Sequence, residues 1–164
     1  MGEKASCRLM RVSDLDAVMA LDRRAFFDSW SETTWRHELE TALASWYVLE
    51  LPEQGLAGYA GLWNVAGEGQ VMRVAVDSAV RCRGYGRQLT EQLLARAWEE
   101  GCTAVTLEVR ESNGPAQAVY RRCGFRAAGV RPHYYADNGE GALIMWLYRQ
   151  DVESATGASS EQNA

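Results

Sequence analysis

Residues 81–86, Arg81-Cys82-Arg83-Gly84-Tyr85-Gly86, follow an apolar alternating run and lead straight into an amphipathic helical pattern. Two glycines in such a turn allow positive φ and close approach of a ligand to the backbone. A helix starting there also points free N–H groups and the positive end of its dipole outward. The chemistry predicted is anion binding, with a diphosphate as the natural guest; a βα turn that needs its glycines only for geometry is the plainer alternative. Arg81, Arg83 and Arg87 form the densest cationic cluster of a chain whose net charge is −5, and they lie at this same turn. Other nucleotide turns do not fit: the Lys-Ser/Thr of a P-loop is absent, and Leu89 stands where a dinucleotide fold has its third glycine. Cys7, Cys82, Cys102 and Cys123 are scattered, with no Cys-x-x-Cys and no histidine at ligand spacing, which predicts reduced thiols and no metal. His37 and His133 are isolated and read as surface or packing residues.

The elements that must position this turn can be read from periodicity and punctuation. Residues 7–12 read as a first strand, and Ser13-Asp14 supplies the cap and first-turn acid of a helix to about Phe26, with Leu15, Val18, Met19 and Leu21 on its apolar side. A capped turn, Asp28-Ser29-Trp30-Ser31-Glu32, opens a second helix carrying Trp35, Leu39 and Leu43. Residues 45–51, 56–65 and 70–77 then read as an antiparallel meander, broken at Pro52-Glu53-Gln54-Gly55 and Gly67-Glu68-Gly69. After the glycine turn, Leu89, Leu93, Leu94, Ala97 and Trp98 repeat at helical spacing up to Gly101. Residues 103–109 alternate, so that Val105, Leu107 and Val109 share one strand face and Glu108 lies on the other with Ala104 and Thr106. Asn113-Gly114-Pro115 opens a further helix that Gly124 is placed to end, and two more strands joined by Asp137-Asn138-Gly139 complete the pattern.

This order predicts one α/β domain over residues 1–150 with a mixed sheet, followed by a polar, disordered tail over 151–164. At 164 residues the core needs no staples. A net charge of −5 and a pI near 5.1 argue against a nucleic-acid binder, whose affinity rests on a cationic footprint, and allow a basic partner. No apolar run reaches the length of a membrane span and no signal peptide is visible, so a cytoplasmic location without membrane attachment is expected.

From Val74 to Tyr148 a set of segments occurs in order. These are Arg73-Val74-Ala75-Val76-Asp77, Arg81-x-x-Gly84-x-Gly86, Leu107-Glu108-Val109-Arg110, Ser112-Asn113, Ala118-Val119-Tyr120-x-x-Cys123-Gly124-Phe125, and Tyr134-Tyr135. Together they resemble the GNAT-superfamily N-acetyltransferases, and within them most closely the bacterial ribosomal-protein-alanine N-acetyltransferases; Trp30-Ser31-Glu32 extends the likeness toward the N-terminus. The resemblance implies the GNAT fold, a central, mostly antiparallel sheet of about seven strands flanked by about four helices.

It also implies a role for each matching residue. Backbone groups of Val74, Ala75 and Val76 would pair with the pantetheine arm of acetyl-CoA like an added strand. Amides of Cys82, Arg83, Gly84, Tyr85, Gly86 and Arg87 would cradle the diphosphate, and Asn113 would contact the cofactor near its thiol end. Tyr134 and Tyr135 would flank the N-terminus of a protein substrate, a basic ribosomal protein by family analogy. The reaction needs two proton handlers, because an ammonium cannot attack a thioester and a departing thiolate benefits from a proton. Glu108 and Tyr120 match the base and the acid. The strand before the cradle reinforces Glu108: relatives often carry an acidic base there, whereas here its central residues are Val71, Met72 and Arg73, the last where the resembled branch often has a small polar residue.

Taken one by one, these residues also have plainer readings: Asn113 as a helix cap, Tyr120 as a half-buried helix residue, Glu108 as a strand carboxylate in an ion pair. An α-amine near pKa 7.8 is easier to deprotonate than a lysine near 10.4 by roughly 3.5 kcal/mol, which favours an N-terminal acceptor over lysine or a small amine. A non-catalytic acyl-CoA-binding module would have no use for both Glu108 and Tyr120.

Overall fold

The computed structural model describes residues 5–161. Its elements run β1 (Ser6–Leu9), α1 (Leu15–Ala25), α2 (Glu32–Glu40), β2 (Ala44–Leu51), β3 (Gly55–Val65) and β4 (Glu68–Val76). They continue with α3 (Tyr85–Glu99), β5 (Ala104–Arg110), α4 (Gly114–Arg122), β6 (Arg126–Arg131), β7 (Ala142–Tyr148) and α5 (Arg149–Glu161). All seven strands belong to one sheet in the order β1-β2-β3-β4-β5-β7-β6, antiparallel except where β4 meets β5. The mixed, mostly antiparallel α/β sheet expected from the sequence is present.

Helices cover the sheet unevenly. On one face α1 and α2 bury Leu15, Val18, Leu21 and Trp35 against Trp46, Val48, Tyr59 and Ala75. This layer is an aromatic pack in which the Trp35 ring meets Trp46 and Tyr59 nearly edge-on, at 4.8 and 5.4 Å. Gly61, opposite Trp46 in the β2–β3 register, makes room for that indole: a Cβ there would lie 2.3 Å from it. On the other face α3 and α4 bury Leu89, Leu93, Ala97, Tyr120 and Phe125 against Val105, Leu107, Val109, Met145 and Leu147. Val105, Leu107 and Val109 do share a face, as their alternation predicts, which leaves Thr106 and Glu108 on the side that α1 and α2 cover only over the neighbouring strands.

Three boundaries differ from expectation. The first strand stops at Leu9 because Asp14 gathers residues 8–14 into a turn, accepting from the Arg8 guanidinium at 2.8 Å and from the Arg11 N–H at 2.7 Å. The second helix ends at Glu40, so Leu43 lies beyond it and is exposed. The tail expected to be disordered from Asp151 continues as α5 to Glu161, with Val152 against the α3-side core; residues 162–164 lie outside the described residues. With α5 the described helices number five rather than about four.

Two irregularities of β4 shape the site. Its pairing with β5 covers only Glu68–Gln70 against Ala104–Thr106, after which the two strands carry no further register pairs. A β-bulge shifts the β3–β4 register between Gly61 and Leu62, so that Gly61 faces Arg73 while Leu62 faces Val71, leaving Met72 as the extra residue. Val71, Val74 and Val76 therefore pack on the α3 side, while Met72, Arg73 and Ala75 all face α1 and the segment after it.

Candidate active site

The splay of β4 from β5 opens a cleft of about 980 Å³. Its lining includes Val74, Glu108, Asn113, Tyr120, Tyr134 and Tyr135, so six of the residues singled out by sequence converge on one cavity. Ala75, Val76 and the turn from Cys82 to Arg87 do not line it.

On the β4 side, the edge that faces β5 is released from pairing past Gln70, leaving main-chain groups of residues 74–76 on an open strand edge. The glycine turn then leads into α3. Gly84 is the N-cap residue with φ +86°, a left-handed conformation that L side chains rarely adopt, and Cys82 is also left-handed at +64°. Gly86 has no positive φ; it already belongs to the first turn of α3. A Cβ at Gly84 would meet nothing within 4 Å, and one at Gly86 only a Val76 methyl at 3.9 Å. The first bond of the helix ladder runs from Gln88 N–H to the Gly84 carbonyl at 3.0 Å, so the N–H groups of residues 85–87 precede it. Open space above two glycines, leading N–H groups and a free strand edge suit a ligand with a diphosphate and an amide-bearing arm. Of the three arginines, Arg81 donates to the Val76 carbonyl at 3.3 Å and Arg87 pairs with Glu91 at 2.9 Å.

Asn113 caps α4, its side-chain oxygen accepting from Ala116 N–H at 3.2 Å. The capping function read from sequence is thus present, on a residue that also lines the cleft. Tyr120 on α4 is 9% exposed, with its ring edge-on to Phe125. Burial raises its phenol, with smaller contributions from Cys123 and Tyr135, so it keeps its proton well above neutral pH.

Glu108 on β5 is about a third exposed (31%) and meets the Arg131 guanidinium at 3.6 Å. It does not pair with Arg110, which bridges instead to Asp137 at 2.8 Å and Glu140 at 3.1 Å. Hydrogen bonding to the Glu108 carboxylate, followed by burial, raises the Tyr134 hydroxyl to about 12. Tyr134 and Tyr135 stand nearly perpendicular at 5.1 Å, and both backbone N–H groups donate to the Glu140 carbonyl at 3.1 Å. The Arg110 guanidinium lies 4.0 Å from the Tyr135 ring centroid.

The facing wall is the segment from Phe26 to Trp30, between α1 and α2, where Phe27 is 80% exposed. It is tied to Arg73, whose partners the sequence does not reveal, and nothing in the sequence marks Arg131. The thiols offer no nucleophile at this cleft: burial raises Cys7, Cys102 and Cys123, the reverse of what a reactive thiolate needs. Among the described residues no cluster of His, Cys, Asp and Glu could hold a metal ion, and no helix is long and apolar enough to cross a membrane.

Residues 15–125, more than half of the chain, match the family model described as the acetyltransferase (GNAT) family. A protein of Bacillus subtilis (strain 168), provisionally described as a ribosomal protein bS18-alanine N-acetyltransferase, is 37% identical over 148 residues, covering 90% of this chain and 97% of its own. The ribosomal protein bS18-alanine N-acetyltransferase of Escherichia coli (strain K12) is 33% identical over 141 residues, covering 84% of this chain and 93% of its own. The crystal structure of the ribosomal-protein-S18-alanine N-acetyltransferase from Escherichia coli superposes with a TM-score of 0.79 at 31% identity, covering 88% of this chain and 94% of that one.

Proposed function

This chain belongs to the acetyltransferase (GNAT) family, and on that premise we propose that it moves an acetyl group from acetyl-CoA to the N-terminal α-amine of a protein, the N-terminal alanine of a ribosomal protein. The observation that carries this reading is the presence of Glu108 and Tyr120, a carboxylate and a buried phenol, in the lining of one cleft that opens where β4 leaves β5.

Acetyl-CoA supplies an activated acetyl thioester. Val74, Ala75 and Val76 would hold its arm through their main chain, the amides from Cys82 to Arg87 its diphosphate, and Asn113 its thiol end. Glu108 takes the proton of the acceptor ammonium, directly or through water, so that the neutral amine can attack the carbonyl carbon. Tyr120, kept protonated by burial, gives its proton to the sulfur as the carbon–sulfur bond breaks, and the second proton shed by the nitrogen restores the phenol through solvent. The transfer is direct, without an acyl-enzyme, because the raised thiol of Cys123 ends a helix and Cys82 lies in the glycine turn. Tyr134 and Tyr135 flank the acceptor chain, and the net charge of −5 favours approach of a basic protein. The site works in the cytoplasm, where acetyl-CoA and ribosomal proteins meet.

Incubation with acetyl-CoA and peptides beginning with Ala, Ser or Met, beside an N-blocked peptide with an internal Lys, tests the reading through thiol release and product mass. Acetylation of the Ala peptide is the expected result. Acetylation of the blocked lysine peptide alone would overturn it.

A further inference from the structure

We propose that Arg73 is the positioning residue of the acceptor wall: through Asp22 and Asp28 it fixes the segment Phe26–Trp30 in place, so that acceptor affinity depends on it and cofactor affinity does not. This rests on reading the cleft as an amine-accepting site. Strict alternation along β4 would turn Arg73 toward the α3 side, beside Val71. The bulge at Met72 reverses that, so two consecutive residues face the cleft and its outer wall.

Arg73 is 7% exposed, and both terminal nitrogens of its guanidinium are paired. Nη1 donates to Asp22 Oδ1 at 2.8 Å; Nη2 donates to the Asp28 carbonyl at 2.7 Å and lies 3.3 Å from the Asp28 carboxylate. Its flat faces meet aromatic rings, with the guanidinium carbon 4.5 Å from the Phe26 centroid and 4.3 Å from that of Trp30. Asp22 is 1% exposed and also accepts from the Trp30 N–H at 2.7 Å and from the Tyr59 hydroxyl. Four residues of the wall region, Asp22, Phe26, Asp28 and Trp30, are thus held by one side chain of the strand whose next residue, Val74, begins the cofactor edge. The other two arginines at the mouth are more exposed: Arg110 at 29% and Arg131 at 60%, the latter reaching Glu108 only at 3.6 Å.

Arg73→Ala would strand the Asp22 charge in the core, so Arg73→Lys is the informative variant: it keeps the charge but cannot fork between two partners or stack as a plane. Loss of one charge-assisted bond predicts an acceptor KM raised about tenfold, equivalent to about 1.4 kcal/mol, with kcat and the acetyl-CoA KM within about twofold. Chymotrypsin cleavage within 26–30 should accelerate in R73K, since the wall is then less restrained. Asp28→Asn keeps the main-chain bond and should raise the acceptor KM by no more than about twofold.

An unchanged acceptor KM in R73K overturns the proposal, and so does an equal rise in the acetyl-CoA KM. A raised acceptor KM without faster cleavage would make Arg73 a direct substrate contact instead. A large loss in D28N would shift the role to the Asp28 charge, against the proposal. Should R73K fail to fold, Phe26→Leu removes one stacking face and leaves both ion pairs; unchanged cleavage and unchanged acceptor KM in that variant would overturn the proposal as well. Wild-type protein that acetylates no peptide amine would defeat the underlying function, while the cleavage comparison, which needs no turnover, still judges Arg73.

Discussion

The two sides of the cleft are built from different material. On the proposed cofactor side the groups offered to a ligand are main chain: the freed edge of β4, the left-handed residues Cys82 and Gly84, and the leading N–H groups of α3. On the proposed acceptor side the wall is built of side chains held by other side chains, Arg73 with Asp28, Arg131 with Glu108, and Arg110 with Asp137 and Glu140. A main-chain surface can bind the same ligand largely whatever side chains it carries. A side-chain surface can be retuned one residue at a time. An enzyme with a fixed donor and a selected acceptor gains from that division.

Substitutions on the two sides should therefore separate in their kinetics. The largest effect falls on the proton handlers: Glu108→Gln should lower kcat by about 10²- to 10⁴-fold with the acetyl-CoA KM nearly unchanged, measured by thiol release at saturating acceptor. An equal loss of acetyl-CoA affinity would break the division. Tyr120→Phe, which keeps the ring against Phe125 and removes the proton, should cost about 10- to 100-fold in kcat with the thermal transition preserved. Gly84→Val forces a β-branched residue to φ +86°, a strain of about 1–3 kcal/mol, and should weaken acetyl-CoA binding by about tenfold in calorimetry while kcat at saturation largely recovers.

The smallest effect is in the pH profile. A phenol with a raised pKa keeps its proton further up the pH scale, and this applies to buried Tyr120 and to Tyr134 at about 12. For an α-amine acceptor kcat/KM should climb through about pH 7.7–8.0 and then stay level past about pH 10, where an unshifted phenol would lose its proton. A falling limb near pH 10 would show that the proton donor is an unshifted phenol.

The same contrast governs what the sequence makes legible. The glycine turn, the Asn113 cap and the face on which Glu108 stands are local consequences of residue type and period, and each appears where the sequence puts it. Of the two glycines only Gly84 takes a positive φ, because Gly86 already lies inside α3, which begins at Tyr85. The partners of Arg73 are another matter: Asp22 lies on the buried side of α1 and 51 residues away, and a bulge that no local pattern announces decides which way the arginine points. Arg131 is equally hidden, since β6 is exposed along its length and its alternation carries no burial signal. The fold class follows from strand and helix order, whereas the end of β1 at Leu9 depends on Arg8 and Asp14 meeting across six residues, a contact that hydropathy does not encode.

The three-residue seam joining Glu68–Gln70 to Ala104–Thr106 has a consequence for how the molecule should melt and breathe. Among the described residues it is the one strand register that stitches the four-stranded half of the sheet to the three-stranded half. A ligand lying along the freed edge of β4 would act as a missing strand between the halves. Amide exchange at residues 74–76 should then slow on acetyl-CoA addition, and two loosely coupled half-sheets should unfold as a single cooperative unit.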